Sequence, residues 1–425
     1  MSKTVKGFSK FTKEQKINWL ADNFFKNRQE GISVLNQYLN SDARLQQLHD
    51  EFIENTISNF YVPYAIAPNF EINGRPYTIP MAIEESSVVA AASLSAKFWS
   101  ARGGFRATVV STVKVGQVHF MFRGPKQEIL SHFEKVKPNL IKGTDDLTAN
   151  MRKRGGGILD IELRDKTEQM EGYYQLHVTF ETGDSMGANF INSCLESIAR
   201  DFAREGIEIV MSILSNYVPQ CLVRAEVSCP VQEFAAERPE FYARKFVQAV
   251  DIANVEPYRA VTHNKGIMNG IDAVILATGN DFRAVAAGAH AYASRSGSYK
   301  SLTQASVSEG QFRFSIELPL SLGTVGGLTR LHPLARLSLE ILQMPTAREL
   351  MEIVAVAGLA QNFAAVRALT TTGIQQGHMK MHLMNILNQM EANIHEKELI
   401  TKAFRGKTVS HSAVAEELHR IRTGH

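Results

Sequence analysis

Between residues 106 and 217 the hydrophobic period of this chain switches between two and about 3.6 residues in an order that few folds accept. Residues 108–122 alternate apolar and polar side chains as a half-buried strand does, and 125–140 carry helical spacing. Strand patterns follow at 157–163 and 173–182, a helical pattern at 186–204, and a last strand pattern at 207–214. The order β-α-β-β-α-β is the ferredoxin-like arrangement. Sequence of a different character flanks it on both sides. The pattern therefore predicts an α+β protein with this domain, residues 107–217, inserted into a larger mixed α/β domain formed by 1–106 and 218–372. A charged helical tail, 373–425, completes the chain.

In the larger domain, residues 12–60 read as polar helices with Trp19, Leu20 and Leu35 on their apolar faces, and Pro63, Pro68 and Pro76 then interrupt regular structure. The small residues of 86–99, among them Ala90, Ala91, Ala92 and Ser93, suit a tightly packed helix. After 218 the pattern predicts a strand (220–227), an acidic helix (231–255), a strand carrying Lys265 and reaching Asp281, and a helix (282–293). Strands at 311–319 and in the 323–327 turn region follow, then helices at 332–342, 347–361 and 363–370. Composition adds little beyond exclusions. A net charge of +3 over 425 residues is too small to argue for nucleic acid or an anionic membrane. Cys194, Cys221 and Cys229 form no CxxC pair and read as reduced thiols. Residues 1–16 lack the apolar core of a signal peptide. The most apolar run, 353–369, contains Gln361, Asn362 and Arg367. A soluble cytoplasmic protein is expected, with no nucleic-acid or membrane partner.

Several short segments carry the chemistry. In Thr262-His263-Asn264-Lys265-Gly266 a lone lysine precedes the apolar run 273–277, which ends at Thr278-Gly279-Asn280-Asp281. Charge at both ends of a buried element is costly without partners, and perturbed charge concentrates at functional sites. A structural Lys–Asp ion pair is the alternative. Asp184-Ser185-Met186-Gly187-Ala188-Asn189 joins a strand to a helix. Either it is a plain N-cap, or its free amides receive phosphate with Gly187 allowing close approach. The cluster Arg152-Lys153-Arg154 before the triple glycine 155–157 is a solvated loop or a phosphate clamp. His378 and His382, spaced i and i+4, have no third ligand nearby, so no metal site is expected. Glu84 and Glu85 suit a helix start. No GxGxxG, Walker A, HExxH or RNP1 motif is present.

Taken together and in order, IEESSVVAAAS (83–93), DSMGAN (184–189), THNKGIMNG (262–270), ATGND (277–281), GLAQN (358–362) and GIQQGHM (373–379) resemble the bacterial, class II 3-hydroxy-3-methylglutaryl-CoA reductases. The resemblance spans nearly the whole chain and is weakest in the first 50 and last 40 residues. It implies reduction of the thioester of 3-hydroxy-3-methylglutaryl-CoA to mevalonate and CoA with two reduced nicotinamide cofactors, in isoprenoid biosynthesis. It also implies a substrate and dimerisation domain (1–106 and 218–372), a cofactor domain (107–217), a C-terminal flap (373–425), and a homodimer with active sites at the subunit interface.

By the same resemblance Glu85, Lys265, Asp281 and His378 match the catalytic positions, Ser87, Arg259 and Asn269 the substrate network, and Asp184, Met186, Gly187 and Asn189 the cofactor loop. Asp281 would orient Lys265. The chain departs from the pattern in places. Ser86 stands where proline is common, and residues 54–58 replace an ENVIG-like stretch. Lys10 is the nearest candidate for a CoA-phosphate contact. Thr148 occupies the position that is acidic in NAD-preferring members, although Asp145 and Asp146 are close. With Arg152, Lys153 and Arg154 beside it, NADPH is the expected cofactor and NADH the alternative. Three other functions are compatible with parts of the sequence. One is NAD-dependent mevalonate oxidation. The second is a non-catalytic CoA- or nucleotide-binding protein, which would lack one of Glu85, Lys265 and Asp281. The third is a thiol hydrolase built on Cys221 or Cys229.

Overall fold

The structure, a computed structural model, describes residues 4–371, 383–404, 407 and 409–423. It divides into two compact units, one ending at Pro63 and one beginning at Tyr64. The first holds three short helices, Lys13–Phe24, Arg28–Gln37 and Ala43–Asp50. Each starts at a side-chain cap, from Thr12, Asn27 and Asp42, which satisfies amides the first turn leaves open.

The second unit mixes helices with ten named strands among its described residues: β1 (Tyr64–Ile72), β2 (Arg75–Ala82), β3 (Arg106–Val109), β4 (Lys114–Phe122), β5 (Gly157–Asp165), β6 (Tyr173–Glu181), β7 (Ile207–Leu214), β8 (Leu222–Pro230), β9 (Thr303–Ser308) and β10 (Gln311–Pro319). β1 and β2 form a hairpin that the prolines had hidden. Pro68 falls in a register shift between Ala67 and Phe70, and a two-stranded ribbon tolerates Pro76 at its edge. The predicted strand 108–122 is two strands in different sheets. β3 joins the antiparallel order β3-β8-β10-β9, and β4 joins the antiparallel order β5-β6-β4-β7. In the second sheet the chain runs β4, helices Lys126–Lys142 and Asp145–Arg152, β5, β6, helix Ala188–Phe202 and β7. The Asp145–Arg152 helix is an element the periodicity did not reveal. This sheet has its own apolar cluster, including Phe120, Phe180, Leu195 and Phe202. A separate small cluster, including Leu387, Ile400, Val414 and Leu418, lies near the C-terminal end.

The largest correction concerns residues 257–281. Lys265 lies on a helix, Pro257–Ala277, not on a strand, and Asp281 caps the next helix, Phe282–Ala293. The buried residues Ala260, His263, Asn264, Ile267, Ile271 and Val274 recur at helical spacing. The continuous apolar run at 273–277 masked that period, because one residue type cannot distinguish a buried strand from a buried helix. Residues 323–327 form no strand, β9 was missed, and 347–370 is one unbroken helix, Ala347–Thr370. That helix is long and apolar enough to cross a membrane, but 72 % of its most apolar stretch is buried within the protein.

Helices Pro257–Ala277 and Ala347–Thr370 pack against each other beside a core of Trp99, Phe234, Phe246, Phe312 and Phe363. They approach closely at Gly270, where a Cβ would fall 2.6 Å from the Ala357 carbonyl oxygen. A backbone oxygen cannot swing away. Gly270→Ala is therefore expected to cost about 1–3 kcal/mol through overpacking, more than the 1 kcal/mol or so that alanine gains in a helix. Gly266→Ala, with only Asn362 Nδ2 at 3.9 Å, should not lower Tm. Equal Tm values for the two variants would refute this account of the helix contact.

Candidate active site

Helix Pro257–Ala277 begins with Pro257 in its first turn and Glu256 accepting the Arg259 amide, both favourable helix-start devices. Two turns on, the Lys265 ammonium leaves the outer face and donates to Glu85 Oε2 at 2.5 Å. Glu85 lies in the short segment 83–87 between β2 and helix Val88–Ser100. Ser87 closes that segment with φ of 75° and makes no side-chain cap. Left-handed backbone in a non-glycine residue is costly and tends to be retained at functional sites. The sequence suggests a buried setting for the Lys265 charge, but the Lys265 and Glu85 side chains are 58 % and 40 % exposed. An exposed ion pair contributes only about 0–1 kcal/mol to stability. A ligand can therefore reach both groups at little cost to the fold.

The inner face of the helix holds Lys265 in position. Asn264 donates to the Lys300 carbonyl and accepts the Leu302 amide. His263 Nε2 lies 2.6 Å from Thr303 Oγ1, and Asn362 donates to the His263 carbonyl while accepting from Thr303. Burial, aided by the Arg259 charge, pushes His263 down to about 3. This histidine is a neutral structural group and no proton donor near neutral pH. The flanking residues of THNKG and the asparagine of GLAQN are thus the mounting of Lys265.

Asn269 lies one turn beyond Lys265 on the same face and is half-buried. Arg259 is half-buried on the same helix, its guanidinium held below its ordinary range by burial, with no carboxylate in ion-pair distance among the described residues. Asp281 is not brought to Lys265. The helix runs roughly 18 Å from Lys265 to its end at Ala277, and Asp281 then accepts the Arg283 and Ala284 amides and pairs with the Arg283 guanidinium. Burial acts to raise its carboxyl, but the Ala284 amide and Arg283 together hold it below the ordinary range. His378 lies outside the described residues. The motifs do not include Asp272, two turns beyond Lys265 on the same face, whose buried Oδ1 has no hydrogen-bond partner among the described residues. Cys221 and Cys229 are buried, and burial pushes each thiol up to about 11, which argues against either as a nucleophile.

The second candidate region lies where β6 runs into helix Ala188–Phe202. The cap of that helix is Gly187, at φ of 88° and with no side-chain cap bond. The first backbone bond of the helix is Ile191 to Gly187, at 2.8 Å, so the amides of Ala188, Asn189 and Phe190 have no acceptor among the described residues. Asp184 is not the cap of this helix. Its Oδ1 accepts the Ala347 amide at the start of another helix, and its carbonyl accepts the Thr324 and Val325 amides. Met186 is close-packed: a Cβ on Gly323 would fall 2.5 Å from its amide nitrogen. The triple-glycine turn borders this loop, since Gly157 pairs with Glu181 across β5 and β6. Arg152 is engaged by Asp145 and Thr148, whereas Lys153 and Arg154 are exposed with no ion pair among the described residues. Open amides, a glycine cradle and exposed cations form a region suited to an anionic ligand.

Comparison with known proteins identifies a family for the whole chain. A family model described as hydroxymethylglutaryl-coenzyme A reductase matches residues 14–383. The chain is 37 % identical over 430 residues to 3-hydroxy-3-methylglutaryl-coenzyme A reductase of Archaeoglobus fulgidus, covering 100 % of this chain and 96 % of that one. It is 35 % identical over 342 residues to a probable reductase of the same name from Borreliella burgdorferi, with 80 % and 78 % covered. The structure resembles the class II enzyme of Streptococcus pneumoniae bound to NADPH in open conformations. Here the TM-score is 0.74 and the identity 34 %, over 93 % of this chain and 100 % of that one.

Asp272 generates a pH test. Burial raises its carboxyl to about 6. The folded chain therefore holds this proton more tightly than the unfolded chain, and the group favours folding below about pH 4. That contribution is lost as pH rises through about 6. Asp272→Asn cannot ionise. It should match the parent near pH 4 and exceed it by about 1–2 kcal/mol at pH 7.5, a figure reduced for solvent screening. Thermal unfolding across that range checks this; a difference that does not vary with pH would contradict it.

Proposed function

The chain belongs to the hydroxymethylglutaryl-coenzyme A reductase family, and from that premise we propose that Glu85, Lys265, Asp281 and His378 carry its reaction. The protein is an oxidoreductase that converts 3-hydroxy-3-methylglutaryl-CoA to mevalonate and CoA. The observation that carries the site assignment is the exposed Lys265–Glu85 contact, which couples residues 180 positions apart at little gain in stability.

The cofactor is NADPH, as in the related S. pneumoniae enzyme, and it supplies one hydride at each of the two reductive steps. Its binding residues are proposed as Arg152, Lys153, Arg154, Asp184, Met186, Gly187 and Asn189. The free amides after Gly187 fit its diphosphate, and Lys153 and Arg154 fit a further phosphate. Asp184 would act by anchoring the loop. The opposite direction, NAD-dependent oxidation of mevalonate, is not favoured.

In the first step Lys265 meets the negative charge formed on the former acyl oxygen, where loss of one such donor costs about 3–4 kcal/mol. The adduct then expels CoA thiolate. Protonation of a thiolate (thiol pKa near 8.5) by an imidazolium near 6.5 is downhill by roughly 2.7 kcal/mol, and His378 is proposed to supply that proton. The aldehyde accepts the second hydride and one more proton; Glu85 is proposed to supply that proton from its protonated form, taken up before this step. Ser87, Arg259 and Asn269 are proposed to bind substrate, Arg259 as a cation for a carboxylate, with no ion pair among the described residues. Asp281 stands too far along its own chain to orient Lys265 directly. That separation supports a homodimer whose active sites combine residues of two subunits. The separate apolar clusters support a ferredoxin-like cofactor domain within 107–217, with β3 and Ala107, Val109 and Val115 belonging to the larger domain's core; a substrate and dimerisation domain of 1–106 and 218–372, a flap of 373–425 and a cytoplasmic location are proposed with it.

The assay mixes protein and 3-hydroxy-3-methylglutaryl-CoA with NADPH or NADH and follows nicotinamide absorbance. Two cofactors should be consumed per substrate, with a higher kcat/KM for NADPH. Lys265→Ala should lower kcat at least ~100-fold and shift stability by no more than about 1 kcal/mol. Activity retained by that variant would overturn the site, and an efficiency ratio favouring NADH would overturn the cofactor preference.

A further inference from the structure

β4 opens with Lys114, a lysine that none of the motifs includes. Its side chain is 3 % exposed. The ammonium donates to Thr182 Oγ1 at 2.5 Å and to the Ser185 carbonyl at 2.7 Å. Thr182 also donates to the Ser185 carbonyl, at 2.6 Å. Lys114 is thus bonded to both ends of the turn that leads into Gly187. Thr182 continues the contact, since a Cβ on Gly187 would fall 2.5 Å from Thr182 Cγ2.

Among the described residues no carboxylate bonds to this cation. Burial lowers its pKa, and Glu181 and Asp184 oppose that only through space; Glu181, next to Thr182 in sequence, has its oxygens accepting from Thr112 and from the Thr182 and Gly183 amides. Asp184 is committed to the Ala347 amide. Among the described residues no acid lies in ion-pair distance of Lys114. A buried ammonium held only by neutral oxygens is expensive, and a chain gains nothing in packing from it that an apolar residue would not supply. An anion docked on the loop would offset that cost. The amides of Ala188, Asn189 and Phe190 open onto the same loop.

We propose that Lys114 is a positioning residue of the dinucleotide site: it fixes the 182–187 turn that presents the helix-start amides, and it places a positive charge beneath the diphosphate those amides receive. This rests on reading the loop as the cofactor site. Because the diphosphate is common to NADPH and NADH, Lys114 sets the affinity for both and leaves the preference between them to other residues.

The test is direct binding, by fluorescence titration of NADPH and NADH to the full-length protein, with 3-hydroxy-3-methylglutaryl-CoA titrated separately. Lys114→Met keeps the length and apolar stem of the side chain. It should raise Kd about tenfold for both dinucleotides, leave their ratio unchanged, and leave the Kd for 3-hydroxy-3-methylglutaryl-CoA unchanged. Thr182→Val retains the charge but removes one anchor, and should weaken both dinucleotides to a smaller extent. It carries the test if the methionine variant does not fold. Unaltered dinucleotide binding in the variants overturns the proposal. So does a loss that extends equally to 3-hydroxy-3-methylglutaryl-CoA, the signature of a purely structural role. Failure of the unsubstituted protein to bind either dinucleotide is a different result, and it overturns the cofactor reading itself.

Discussion

One contact links the chemistry of this protein to its fold: the ammonium of Lys265 against the carboxylate of Glu85. The two groups come from a helix in the middle of the chain and a strained turn near its start. Each is fixed by its own surroundings and not by the other. The helix is pinned on its inner face by Asn264, His263 and Asn362. The turn is set by β2 on one side and the left-handed Ser87 on the other. The pair itself is open to solvent and contributes little to stability. An ion pair that the fold does not need, but goes to some length to assemble, is arranged for something that binds there.

The cofactor region follows a similar logic with the charges concealed. Asp184 and Gly323 fasten the loop to the larger body of the second unit, through the first amide of helix Ala347–Thr370 and a glycine that leaves no room for a side chain. The β5-β6-β4-β7 sheet is therefore tied at this loop to the structure that carries Lys265. The proposed cofactor loop and the proposed oxyanion donor Lys265 belong to one connected framework, although they come from elements with separate apolar clusters.

Much of this was legible in the sequence, and the failures have physical causes. Strand and helix alternation in 157–214 could be read closely because each element there is buried on one face, so that its period is visible. β7 and β10 fall at the predicted bounds. Lys265 stands out in the sequence, but its element reads wrongly as a strand. The 257–277 helix is enclosed on its inner side and ends in five consecutive apolar residues, and such a run has no readable period. That error also joined Lys265 to Asp281, which a helix separates and a strand reading had made the two ends of one buried element. Asp184 reads from sequence as one possible cap, with Ser185 or a phosphate-binding loop as alternatives, because a sequence shows only neighbours along the chain and its partner, Ala347, is 163 positions away. Lys114 and Asp272 carried no signal, since a buried charge cannot be told from an exposed one until its burial is known.

The central claim is that Glu85 and Lys265 act as one unit, and a double-mutant cycle tests it most directly. Glu85→Gln, Lys265→Met and the double variant would be compared in kcat for reduction of 3-hydroxy-3-methylglutaryl-CoA. Residues that serve the same transition state are strongly non-additive. The account predicts that the double variant is about as slow as the slower single variant. Losses that simply multiply would mean that the two side chains act independently, and would contradict it.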